Sequence, residues 1–259
     1  MGYLFVLFSA SLCLRGKKMP LYLVATPIGN LGDLSPRGRE TLEKAQVLAA
    51  EDTRSARRLL QLLNIPFSGE MLSYGDHNEH TMAPKLAERL KSGLNVAVLS
   101  EGGTPLVSDP GYRLVQAAIE AGVPVIPIPG PCAAIAALSA SGLPVHGFIY
   151  KGFLSKKSGT RRRVIEGLKD REETLIFYES PQRVGILLGD LLELLGPERP
   201  ACIAREMTKL HETFLRGSLK DLSERWKTEE DKGPHGMVRG ECTVLVAGQG
   251  DLDKADREE

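Results

Sequence analysis

Asn95-Val-Ala-Val-Leu-Ser-Glu-Gly-Gly-Thr-Pro-Leu-Val-Ser-Asp-Pro-Gly111 is the most informative stretch of this chain. Residues 96–99 are apolar throughout, the pattern of a buried strand. The strand runs into a small-residue turn with Gly102, Gly103 and Pro105. A second turn, Ser108-Asp-Pro-Gly111, follows, and a helical pattern begins at Tyr112. A strand that ends in glycines before a helix lets backbone amides approach a ligand closely. The same grammar occurs earlier, where the strand Leu21-Tyr-Leu-Val-Ala25 meets the turn Thr26-Pro-Ile-Gly-Asn-Leu-Gly-Asp33. Two such loops predict one ligand cleft above the strand ends of an open α/β sheet.

Outward from this stretch, residues 20–128 alternate between strand and helix. Helices are expected over 36–45, 55–63, 81–91 and 112–121, and strands over 47–50 and 123–128. That alternation predicts a mainly parallel sheet. Ile128-Pro-Gly-Pro131 reads as a junction, and 133–141 as a small-residue, uncharged, buried helix. Beyond Gly147 the strands (174–178, 200–204, 241–246, with 212–217 as a further candidate) are interspersed with helices over 181–195 and 219–226. The fold class is therefore α/β with two domains, the first mainly parallel and the second mixed, and a cleft between them. The expected limits are 20–130 and 131–248. A polar glycine-rich loop over 228–240 and a charged tail over 249–259 complete the reading.

Composition narrows the function. Lys plus Arg and Asp plus Glu both number 33, so net charge is zero and any nucleic-acid site must be local. Cys13, Cys132, Cys202 and Cys242 lie far apart without a C-x-x-C pair, which argues against a zinc site or a disulfide framework and fits a reducing cytoplasm. The apolar run 3–14 is shorter than the ~20 residues of a membrane span. Its charges (Arg15, Lys17, Lys18) follow it, whereas a signal peptide needs them before it. Residues 1–19 thus read as an extension ahead of the domain, with Met19 as a candidate natural start and a membrane anchor as the weaker alternative.

The glycine loops do not match a P-loop, for neither ends in G-K-[ST], and 26–33 fails G-x-G-x-x-G. Each alone could be an ordinary turn between strand and helix. Together with Pro129-Gly-Pro-Cys132 they make three Gly/Pro loops, each after a strand, which fits a cleft between domains.

The stretch 21–33 resembles the opening of the bacterial small-subunit rRNA (cytidine-2′-O)-methyltransferases, within the tetrapyrrole (precorrin/corrin) methylase superfamily. Ala50-Glu-Asp-Thr-Arg54, Asp76-His-Asn-Glu79, Gly103-Thr-Pro-Leu-Val-Ser-Asp-Pro-Gly111, Pro129-Gly-Pro-Cys-Ala133, Gly152-Phe-Leu154, Phe177-Tyr-Glu-Ser180 and Ala204-Arg-Glu-Met-Thr-Lys209 resemble that family in the same order. The likeness covers about residues 20–248. One departure is Ser100-Glu-Gly-Gly-Thr-Pro105, where the family usually has Ser-Asp-Ala-Gly-Thr-Pro.

The resemblance implies S-adenosylmethionine as methyl donor, held between the domains. Carried over by position, its contacts are Pro27, Ile28, Gly29, Glu101, Gly102, Gly103, Thr104, Pro105, Cys132 and Ala133, with Tyr178 and Cys242 as the second-domain wall. The implied acceptor is the 2′-hydroxyl of a cytidine in the decoding region of 16S rRNA, free or in the small ribosomal subunit, and the implied assembly is a homodimer. A ribose hydroxyl is a poor nucleophile, so transfer needs placement and a proton acceptor. Candidates are Glu51, Asp52, Arg54, His77 and Glu79, with Asp76, Asn78 and Glu179 behind them. A carboxylate from Glu51, Asp52 or Glu79 would orient or deprotonate the hydroxyl, and Arg54 would grip phosphate. The plainer alternative makes Glu51-Asp52 a helix cap and His77 a surface residue. Lys151, Lys156, Lys157, Arg161, Arg162 and Arg163 form the strongest basic patch, read as a mobile loop entering a helix and as an RNA strip. Tyr74, Phe153 and Tyr178 are candidate base stackers. The rivals are a tetrapyrrole methyltransferase and an RNA-binding protein without catalysis.

Overall fold

The computed structural model describes residues 19–230 and 240–251. Residues 1–18 of the expected extension, most of the polar loop over 228–240 and the tail from 252 lie outside them. The first sheet is built from β1 (Leu21–Val24), β2 (Val47–Ala50), β3 (Glu70–Ser73), β4 (Val96–Leu99) and β5 (Val125–Ile128). Its order is β3-β2-β4-β1-β5 and every pairing is parallel. Alternate residues of each strand feed two separate cores. Val96 and Val98 join the layer under α3 (Glu79–Lys91) and α4 (Tyr112–Glu120). Ala97 and Leu99 join the layer under α1 (Pro36–Lys44) and α2 (Thr53–Leu62). With both faces covered, β2 and β4 are buried at every position, which is why they read as unbroken apolar runs.

The second sheet contains β6 (Phe148–Phe153), β7 (Thr174–Glu179), β8 (Pro200–Arg205), β9 (Thr213–Ser218) and β10 (Cys242–Val246) in the order β6-β7-β10-β8-β9. Only β6 and β7 run parallel; the other three pairings are antiparallel. The uncharged helix α5 (Ala133–Ser141) covers one face, and Gly142 ends it at φ 79°. The helices α6 (Ser158–Glu166), α7 (Pro181–Leu195) and α8 (Leu219–Glu230) cover the other, around the fully buried Trp226.

Two strands escape the sequence pattern, and both are sheet edges. β3 is four residues, Glu-Met-Leu-Ser, with polar ends. β6 is interrupted by a bulge, its register stepping from Tyr150 to Gly152 past Lys151. Lys151 therefore sits on a strand, not on a loop. Some limits also move. Asp52 accepts from Arg54 N at 2.7 Å and starts α2 two residues before the expected 55. α3 starts at Glu79, β5 at Val125 and β10 at Cys242, while α8 runs on to Glu230. The start of the charged tail is anchored, Gln249 N donating to Arg171 O at 2.7 Å. No helix among the described residues is long and apolar enough to cross a membrane.

Candidate functional site

Parallel strands deliver their carboxyl ends to one edge of the sheet, where helix-bound loops can surround a ligand. Here the loops after β1, β4 and β5 are stitched together. Thr26 and Gly103 exchange two backbone bonds (Thr26 N to Gly103 O 2.8 Å; Gly103 N to Thr26 O 3.0 Å). Thr26 Oγ1 donates to Ser100 O at 3.3 Å, and Thr104 Oγ1 to Pro131 O at 2.9 Å. Gly103 takes φ +91°, a conformation that side chains disfavour. A Cβ on Gly102 would stand 3.5 Å from the Pro27 carbonyl, an ordinary contact that places this turn beside the Pro27–Ile28 backbone. Pro27 and Pro105 are buried, Ile28, Thr104, Cys132 and Ala133 half-buried, and Gly29, Glu101 and Gly102 exposed.

Two clasps join these loops to the second sheet. Asn30 N donates to Thr208 Oγ1 at 3.0 Å, and a Cβ on Gly29 would fall 2.5 Å from Lys209 Cγ. On the other side, Ser108 Oγ and Tyr150 OH lie 2.5 Å apart, and a Cβ on Gly152 would fall 2.5 Å from Ser108 Oγ. Leu106, Ser108 and Thr208 have φ of 70°, 69° and 65°. Non-glycine residues held there cost on the order of 1–3 kcal/mol each, and such strain concentrates at ligand clamps.

Tyr178, on β7, packs toward α5. Its hydroxyl accepts from Ala134 N at 2.9 Å, and its ring meets Tyr150 and Phe153 edge-on at 5.1 and 5.6 Å. Burial pushes its phenol well above the usual tyrosine range, so it serves as a neutral hydrogen-bonding group. Cys242 does not share this face. In register it lies opposite Glu179, and its side chain joins Val244 and Val246 in the core under α7 and α8. Burial raises its thiol to about 12. The β10 residue opposite Tyr178 is Thr243, itself buried. Glu179 likewise points away, with Oε1 accepting from Ser180 N and Oε2 paired with Arg183 at 3.2 Å.

The first-domain edge of the cleft gathers carboxylates. Glu51, Asp76, Glu101 and Asp109 lie near one another, and charges within this group raise the proton affinity of Glu51 and Asp109. Asp109 is the most affected: burial first, then the charges of Glu51, Glu101 and Asp76, lift it to about 6, partly offset by the Ser100 hydroxyl. Glu51 is raised in the same way, chiefly by burial and Glu101, with His77 opposing. Sequence reasoning missed Asp109 because Ser-Asp-Pro-Gly is also ordinary turn chemistry. Its one distinguishing signal is the glycine-rich strand end just before it.

The remaining candidates separate by role. Asp52 caps α2 and also receives Ser55 Oγ at 3.4 Å, so its carboxylate is committed to the helix start. Glu79 is a fastener, not a free base. Its Oε1 accepts from Tyr74 OH at 3.0 Å, Gly111 N at 3.0 Å and Arg113 N at 3.3 Å, tying α3 to the start of α4. Burial would raise Glu79, but these bonds and the Arg113 charge outweigh it and hold it below its ordinary value. Tyr74 is consequently buried core, not a base stacker. His77 and Arg54 are exposed, His77 close to Gly75 and Glu51. In the basic patch, Arg161 is 4% exposed and paired with Asp190 at 2.6 Å. Arg162 bridges Asp190 and Glu193. Both arginines hold α6 to α7, which leaves Lys151, Lys156, Lys157 and Arg163 exposed.

The tetrapyrrole (corrin/porphyrin) methylase family model matches residues 20–223. The chain is 49% identical over 228 residues to a ribosomal RNA small subunit methyltransferase I of Micromonospora olivasterospora, covering 88% of this chain and 70% of that protein. It is 47% identical to one of Synechocystis sp., covering 84% and 77%. Among solved structures, the methyltransferase CobJ aligns with TM-score 0.64 at 21% identity, covering 89% of this chain and 95% of that one. The uroporphyrin-III C-methyl transferase of Thermus thermophilus, complexed with S-adenyl homocysteine, aligns with TM-score 0.59 at 23% identity, covering 89% and 97%.

Proposed function

We propose a function from the premise that this chain belongs to the tetrapyrrole (corrin/porphyrin) methylase family and, within it, to the ribosomal RNA small subunit methyltransferases I. It is an S-adenosylmethionine-dependent methyltransferase of small-subunit ribosomal RNA, and its acceptor is the 2′-hydroxyl of a cytidine in the decoding region. The observation that carries the reading is the 49% identity, which extends over 228 residues and so over both walls of the cleft. The working division is 20–130 and 131–248, the enzyme acts in the cytoplasm, and by the superfamily's precedent it acts as a homodimer.

The residues present fit the donor. The Pro27–Ile28 backbone lies beside Gly102 and can offer hydrogen bonds to a ligand. Ile28, Cys132, Ala133 and Tyr178 provide apolar surface for an adenosine. Glu101 and the neighbouring carboxylates make a negative surrounding suited to a cationic group. When bound, S-adenosylmethionine supplies an electrophilic methyl on its sulfonium. The protein's own part is to hold the ribose hydroxyl in line and take its proton. Asp109 is the acceptor we assign, because a carboxylate raised to about 6 is ionised at neutral pH yet more basic than an ordinary one. Glu51 lies near it and His77 near Glu51, while Asp52 and Glu79 act by positioning and Arg54 faces phosphate.

The test is methyl transfer from radiolabelled S-adenosylmethionine to small ribosomal subunits lacking the modification. Label at a single 2′-O-methylcytidine, resistant to alkaline cleavage, is the expected result. No incorporation with donor binding intact overturns the RNA assignment and points to a small-molecule acceptor.

A further inference from the structure

Helix α2 reads Thr-Arg-Ser-Ala-Arg-Arg-Leu-Leu-Gln-Leu, with Arg54, Arg57 and Arg58 at positions i, i+3 and i+4. These place three guanidinium groups on one side of the helix, and all three are exposed. Several surface cations elsewhere are paired, among them Lys44 with Glu40, Lys91 with Glu88, Arg89 with Glu70, Arg162 with Glu193 and Lys209 with Glu206. Helix α2 carries no carboxylate, and no ion pair to its arginines occurs among the described residues.

This arrangement costs the helix stability twice. Like charges three and four residues apart repel, and a cation in the first turn opposes the helix dipole. An arrangement that folding disfavours, in a chain of zero net charge, points to a partner that supplies the missing anions. The position says which partner. The Asp52 cap pins the start of α2 to the end of β2. A cavity of ≈ 200 Å³ then runs between helix and sheet, lined by Arg58, Ser55 and Leu62 on one side and by Glu51, Ser100 and Glu101 on the other. Arg58 therefore stands at the cavity that reaches the Glu51 and Glu101 carboxylates, with Arg54 and Arg57 exposed on the same helix.

We infer that Arg54, Arg57 and Arg58 form the track for the RNA phosphate backbone that leads the target nucleotide to the strand ends. The inference rests on the RNA reading above and makes α2, rather than the 151–163 patch, the main electrostatic contact. Over four residues the helix advances roughly 6 Å, so the three long side chains can address successive phosphates of one strand. Guanidinium groups suit this task because they grip phosphate oxygens bidentately.

The experiment uses the full chain with S-adenosylmethionine present, and compares wild type with R54Q/R57Q/R58Q and with K151Q/K156Q/K157Q. The readouts are binding of a single-stranded cytidine-containing RNA across a salt series, methyl transfer to small subunits, and donor affinity. The arginine variant is expected to bind RNA about tenfold or more weakly. Its slope of log affinity against log salt is shallower by about 2, from ~0.7 for each phosphate no longer neutralised. The defect appears mainly in KM, donor affinity stays within about twofold, and the lysine variant is impaired less. R57E alone repeats the comparison should the triple variant not fold. Unchanged RNA affinity and slope in the arginine variants overturn the inference. A defect seen only with whole subunits, naked RNA being bound normally, also overturns it, in favour of a protein partner at this helix. A wild-type chain that binds RNA through these arginines but transfers no methyl supports the track while refuting the proposed reaction.

Discussion

Replacing Asp109 with Asn should make the protein more stable and much less active, and the stability gain should grow with pH. An aspartyl group near 3.8 in the unfolded chain stands at about 6 in the folded one. A rise of about 2 units corresponds to about 3 kcal/mol, the most by which the ionised side chain disfavours the fold. The sign follows from proton counting. Between about pH 4 and pH 6 the folded protein holds a proton that the unfolded chain has released, so this group's contribution falls as pH rises and levels off above. Asn does not titrate. The stability difference, variant minus wild type, should therefore widen by roughly 1.5 kcal/mol from pH 5 to pH 8. For a chain of this size that is about 3–6 °C in melting temperature. Paired thermal melts across that range measure it. A difference that stays flat or narrows would refute the claim that burial and the Glu51, Glu101 and Asp76 charges strain Asp109. Activity then separates strain from function. As proton acceptor, Asp109 supplies roughly 10²–10⁴-fold, and the wild-type acid limb near pH 6 should vanish in the variant. A stabilised, fully active D109N would leave Asp109 strained but without a part in the chemistry.

Glu79→Ala should destabilise by about 2–3 kcal/mol by stranding Tyr74 OH and the Gly111 amide, and urea titration measures it. Because the folded Glu79 is held below its ordinary value, its support is present above about pH 4.5 and is lost as pH falls through the lower folded value. Asp190→Ala should cost about 3–5 kcal/mol by leaving Arg161 buried and unpaired, whereas Lys156→Gln, on the same patch, should leave melting within about 0.5 kcal/mol. Gly152→Ala should lower both melting temperature and donor affinity by calorimetry, since its Cβ would collide with Ser108 Oγ and its φ is +60°.

The parallel sheet was legible because β2 and β4 are apolar at every position and β1 and β4 end in turns that contain glycines. The edge strands were not, since β3 is short with polar ends and β6 is broken at Lys151. The loops around Pro27, Gly103 and Cys132 could be placed because each follows a strand in chain order. Side-chain direction within the site could not. Cys242 and Tyr178 lie on neighbouring strands, yet alternation sends one into the helix-covered core and the other toward α5. The basic patch misled for a related reason: Asp190 and Glu193, which neutralise Arg161 and Arg162, lie nearly thirty positions along the chain. Glu79 had the composition of a catalytic carboxylate, but its partners at Gly111 and Arg113 exist only once α3 and α4 pack together.

The two clasps flanking the cleft, Asn30 with Thr208 and Ser108 with Tyr150, bear on how fast the site can exchange its contents. Two lobes joined at a single hinge can swing apart, and ligands then enter face-on. Lobes held together at two separated points cannot do so without unlatching one of them. Traffic should therefore pass through movements of short loops, leaving the angle between the lobes nearly constant. Small-angle scattering profiles with and without donor should superimpose, and turnover should follow the rate at which a few residues around Ser108 or Thr208 release their hold.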